Sequence, residues 1–76
     1  MSTHRRLTEN ETELFEAFKL AIESERTAQG AYARMAALAE DPQVRAAFEG
    51  FQREEGEHEE RLIRLYGEYK ARFISE

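Results

Sequence analysis

The sequence has no cysteine, one proline, four glycines and a single aspartate, and each scarcity removes a class of protein. Without cysteine there is no disulfide framework, thiol nucleophile, iron–sulfur cluster or cysteine-ligated zinc. No apolar run approaches the roughly 20 residues that a membrane-spanning helix needs. Met1 to Arg6 also lacks the apolar stretch of a secretory signal. The expected location is therefore cytoplasmic, with no membrane partner. Sixteen acidic against eleven basic residues give a net charge of -5, which opposes binding to phosphate backbones, so nucleic acid is not an expected partner.

What is present is helix-forming. All the acidic residues except Asp41 are glutamates, which tolerate helix interiors where aspartate prefers caps and turns. Apolar residues recur at helical spacing on either side of one cluster of breakers, Glu40-Asp41-Pro42. Thr8 followed by Glu11 is a start signal in which each side chain covers an unpaired amide of the first turn. Asp41 and Pro42 form a second start signal, cap and first helical residue. The prediction is a single domain over residues 1–76, with helix 1 at about 8–39, a turn at 40–42 and helix 2 at about 42–73. So short a turn forces the two helices antiparallel. Residues 1–7, with His4, read as a frayed solvated end.

The inward stripe of helix 1, read at spacings of three and four, is Leu14, Phe18, Ala21, Glu25, Ala28, Tyr32, Met35 and Ala39; that of helix 2 is Val44, Phe48, Phe51, Glu55, His58, Leu62, Leu65 and Tyr69. Three members are ionisable. Glu25 precedes the turn by about as many residues as Glu55 follows it, so both lie roughly 22 Å from the turn. His58 shares a face with Glu55 at i,i+3. A Glu-x-x-His pair alone is a common neighbour pair on a solvated helix face, but convergence with a third carboxylate inside an apolar seam is not. Burying unpaired carboxylates costs several kcal/mol each unless a cation or proton compensates them. A metal ion is the natural compensator.

Two helices leave most of each apolar stripe facing water, and a folded unit of 76 residues buries only about 60% of its chain surface. A twofold copy would complete a four-helix bundle and bring a second Glu25, Glu55 and His58 to the first. Four carboxylates and two imidazoles are the inventory of a di-iron carboxylate bundle, and oxygen-rich ligation suits iron or manganese better than zinc. Tyr32, seven residues after Glu25, is either a hydrogen-bond donor to a ligand carboxylate or a core tyrosine satisfied elsewhere. Phe18, Met35, Phe48 and Phe51 read as core packing, and Glu54, Glu57, Glu59 and Glu60 as a solvated surface. Ile63, Tyr66, Phe73 and Ile74 form a second apolar set off the main stripe, which a higher oligomer of dimers would cover.

The chain resembles the ferritin-like superfamily, in particular the rubrerythrin branch and the two-helix half-ferritins represented by encapsulated ferritins. The likeness covers about residues 12–69 and rests on Glu25, Ala28 and Tyr32 in helix 1 and on Glu55-Gly56-Glu57-His58, preceded by Glu54, in helix 2. It implies that Glu25 is a terminal metal ligand, Glu55 a bridging one and His58 a terminal nitrogen ligand. Full-length relatives carry four ligand-bearing helices in one chain, so two helices imply a site shared between subunits. The rubredoxin-like cysteines of rubrerythrins are absent, and Arg72-Phe73-Ile74-Ser75-Glu76 does not look like the apolar peptide that sends cargo into an encapsulin shell.

The expectation is an all-α antiparallel helical hairpin that homodimerises into a ferritin-like four-helix bundle. Its expected activity is that of a ferroxidase, oxidising Fe(II) to Fe(III) with dioxygen or peroxide for iron storage or detoxification. Two iron ions per dimer are expected, with manganese as the other candidate, and Glu25, Glu55 and His58 as both catalytic and metal-binding residues. The alternatives are a rubrerythrin-like peroxidase needing an external electron donor and a non-catalytic metal-binding oligomerisation module.

Overall fold

The computed structural model describes residues 6–73. Two helices, α1 (Glu9–Leu38) and α2 (Pro42–Ala71), pack against each other as an antiparallel hairpin. Both helix starts are built by the residues that announce them. The Thr8 hydroxyl accepts the Glu11 N–H at 3.1 Å, and the Glu11 carboxylate accepts the Thr8 N–H at 2.9 Å. Asp41 accepts the N–H groups of Gln43 at 2.7 Å and Val44 at 3.3 Å, with Pro42 at the first helical position. The α1 C-terminus has no basic residue in its own last turn. Arg45 of α2 supplies one instead, donating to the Ala39 carbonyl at 2.9 Å and stitching the turn closed.

The residues facing the sister helix recur at alternating steps of three and four. On α1 they are Phe15, Phe18, Ile22, Glu25, Gln29, Tyr32 and Ala36; on α2 they are Phe48, Gln52, Glu55, Glu59, Leu62, Tyr66 and Tyr69, with Phe73 continuing the row just past its end. A mean period of 3.5 is the seam of a left-handed supercoil. This corrects the expected stripes. Leu14 and Met35 on α1, and Val44, Phe51, His58 and Leu65 on α2, lie on the flank of the seam, while Glu59, Tyr66 and Phe73 lie inside it. The reason is that each helix carries two adjacent apolar stripes, and spacings of three and four trace either equally well. The expectations for His4 and for Ile74 to Glu76 fall outside the described residues.

Aromatic rings fill the seam at both ends. Away from the turn, Phe15 packs on Tyr66, Tyr69 and Phe73 with centroids 5.7, 5.1 and 5.6 Å away. Toward the turn, Tyr32 lies 5.4 Å from Phe51 and 6.2 Å from Phe48. Between these clusters the seam turns polar. The whole body measures 61 × 20 × 12 Å, one helix thick in its thinnest direction. Among the described residues only Ala36 is buried. Such a layer has a seam but no closed core. No helix among the described residues is long and apolar enough to cross a membrane.

Candidate metal centre

Glu25 from α1 and Glu55 from α2 meet in the polar middle of the seam, and His58, less than one turn after Glu55, approaches them from its flank. His58 Nδ1 lies 3.6 Å from Glu25 Oε2 and 3.8 Å from Glu55 Oε2. One ligand atom from each of the three falls within 4.8 Å of the other two. The two carboxylates are mostly covered, at 23% and 22% exposure, while the imidazole is 45% exposed. Glu25 Oε2 is buried with no hydrogen-bond partner among the described residues. A buried carboxylate oxygen without a donor is destabilising by about 1–3 kcal/mol or more. A cation seated among these atoms removes that deficit, and two carboxylates with one imidazole form a hard, oxygen-rich donor set that suits iron or manganese. The residues present therefore fit the metal that the sequence points to.

A hydrogen-bonded bracket lies beside this trio. Glu59, one turn after Glu55, accepts from the Arg26 guanidinium at one oxygen and from Gln29 Nε2 at the other, the latter at 2.7 Å. The hydrogen bond from Arg26, with a smaller contribution from Gln29, holds the Glu59 carboxyl below its usual range. The Gln29 amide also approaches the Glu25 carbonyl oxygen at 3.4 Å, so it spans from the Glu25 turn of α1 to α2. The amide packs close against Gly56: a Cβ there would meet Gln29 Oε1 at 3.4 Å, an ordinary van der Waals distance. Reading stripes from the sequence missed Arg26, Gln29 and Glu59. The signal for Gln29 and Glu59 was the alternative register 22-25-29 and 55-59-62, which adds both to the seam beside Glu25 and Glu55; Arg26 lies just outside it.

Tyr32 is positioned by its ring, within the Phe48 and Phe51 cluster; among the described residues its hydroxyl makes no hydrogen bond to Glu25, Glu55 or His58. Glu54, Glu57 and Glu60 are exposed.

None of the curated proteins and none of the solved structures significantly matches the chain. The family model described as Rubrerythrin matches residues 7–74, which includes both helices and the whole Glu25, Glu55 and His58 cluster. The chain thus belongs to the rubrerythrin family, within the ferritin-like superfamily of iron-binding proteins.

Proposed function

We propose that this chain is a ferroxidase whose two-iron site forms between two copies of the hairpin. The observation that carries this reading is the meeting of Glu25, Glu55 and His58 around a buried oxygen that no donor satisfies. Each chain would contribute half of the ligands. Two copies give four carboxylates for two divalent ions, so the formal charges cancel.

The pattern of the seam favours one side for docking of the second copy. A local twofold axis normal to the plane of two antiparallel helices keeps equal offsets from the seam on the same side. Residues one position after seam residues, Lys19, Glu23, Arg26 and Ile63, accordingly line one groove together. Residues one position before seam residues define the opposite face: Leu14, Ala21, Ala28 and Met35 on α1, and Phe51, His58 and Leu65 on α2, extended by Val44 seven residues earlier. These are apolar except for His58, and the charged Glu54, Arg61 and Glu68, which precede other seam residues of α2, border the stripe. Leu14, Met35, Val44, Phe51 and Leu65 are each 40–49% exposed in the single hairpin, a stripe that a second layer would cover. Ala21 and Ala28 leave room for close approach beside the imidazole.

In this reading the chain's residues bind two Fe(II) ions as substrate. Glu25 and His58 hold each ion from its own chain, Glu55 reaches between the ions, and the aromatic clusters exclude water along the bundle. The two ions give up two electrons; dioxygen takes them with two protons and leaves as hydrogen peroxide, or peroxide takes them with two protons and leaves as water. The ferric product is held for storage or detoxification. Manganese suits the same donor set.

The test is addition of Fe(II) and air to the purified chain, following ferric absorbance. Turnover is expected, with loss of at least tenfold in Glu55→Ala and His58→Ala; turnover unchanged in both variants would overturn the reading. Membership of the rubrerythrin family favours one second reading, a peroxidase drawing electrons from an external donor. Its mark is oxidation by peroxide far faster than by dioxygen in stopped flow, followed by re-reduction from the added donor.

A further inference from the structure

The seam holds three carboxylates at the level of the proposed centre, Glu25, Glu55 and Glu59, yet only the first two join the cluster with His58. Glu55 and Glu59 are i,i+4 neighbours on α2, with Cβ atoms about 6 Å apart, so their carboxylates can reach a common point. Glu59 is also as covered as the others, at 18% exposure. What separates it is its partners. Arg26 takes one oxygen and Gln29 the other, both reaching across from α1, whereas no hydrogen bond to the Glu25 or Glu55 carboxylate is present among the described residues.

We infer that Arg26 and Gln29 withhold Glu59 from the metal centre and so fix the carboxylate count at two per chain. This rests on the reading of Glu25, Glu55 and His58 as metal ligands. The physical reason for such a device is charge matching. Four carboxylates from two chains balance two divalent ions, whereas six would over-neutralise them and strengthen further the preference for the ferric product that an anionic oxygen set already has. The Arg26 guanidinium cancels the Glu59 charge on the face away from His58, and Gln29 keeps the second oxygen turned toward α1. Arg26 and Gln29 are specificity-determining positions that act through Glu59, without themselves touching metal.

Binding of Mn(II), which involves no turnover, tests this by titration calorimetry with metal content per chain measured in parallel. Freeing Glu59 in the double variant Arg26→Met/Gln29→Leu should tighten Mn(II) binding about tenfold, since an added anionic oxygen raises affinity for a hard dication. Adding Glu59→Gln should return the affinity to the wild-type value, although the cross-helix hydrogen bonds are still missing. If the bracket only steadies the helices, the double variant binds Mn(II) more weakly and Glu59→Gln does not restore it, which overturns the inference. Should the double variant lose its helical circular dichroism, Arg26→Met alone carries the same comparison, because the Arg26 side chain is 63% exposed and leaves no void. A wild-type chain that takes up no metal removes the centre and the inference with it; wild-type binding with unchanged affinity in the variants contradicts the inference alone.

Discussion

His58 Nδ1 stands 3.6 Å from Glu25 Oε2, an oxygen that is buried and receives no hydrogen bond among the described residues. In the absence of a cation this contact is a deficit, so metal and carboxylate should have opposite effects on stability. Glu25→Gln is expected to leave the metal-free chain at least as stable as the wild type, because it removes an uncompensated charge. It should also abolish the rise in melting temperature that Mn(II) gives the wild type, equivalent to about 2.7 kcal/mol at a hundredfold excess over Kd. Thermal melts in chelator and in Mn(II) read both effects; an equal metal-induced rise in wild type and variant would contradict the assignment of Glu25.

Phe51 lies on the exposed apolar face about two turns from His58, 43% exposed, with its ring against Tyr32. Phe51→Glu places a charge where the second copy is expected. The variant should elute at the mass of a single chain in light scattering and lose metal uptake, though Glu25, Glu55 and His58 are intact.

The caps are local and their worth can be measured singly. Asp41→Ala removes the acceptor for the Gln43 and Val44 amides, and Thr8→Ala removes half of the reciprocal pair with Glu11. Each should lower unfolding free energy by about 1 kcal/mol in denaturant titrations. Asp41→Asn should retain most of that, since its side-chain oxygen still accepts.

Gly30 and Gly67 occupy helix interiors, and a Cβ built at either meets nothing within 4 Å. Gly30→Ala and Gly67→Ala should therefore each stabilise the hairpin by up to about 1 kcal/mol through helix propensity. A loss of stability in either would mean that the assembled protein brings a neighbour against that backbone.

The features legible in the sequence are those that depend on short-range chemistry or on the helical period. Thr8 with Glu11 and Asp41 with Pro42 announce their helix starts because a cap is settled within four residues. The approach of Glu25 to Glu55 and His58 follows from counting equal distances from one tight turn. Which apolar stripe faces the sister helix was not legible, because Phe15 and Leu14, or Tyr66 and Leu65, are neighbours of like hydropathy and only three-dimensional packing chooses between them. Glu59 was misread for a different reason. It sits in the run Glu54 to Glu60, where solvation is the ordinary fate, and its partners Arg26 and Gln29 lie thirty or more residues away on the other helix.

The central claim is that three side chains of one hairpin make half of a metal centre that a second hairpin completes. Native mass spectrometry of the chain after anaerobic loading with Fe(II) measures assembly and metal content together. The account predicts two iron ions for every two chains, with metal-bearing species at even chain numbers and none in Glu55→Ala. Iron bound to single chains, or chains that assemble without taking up any metal, would contradict it.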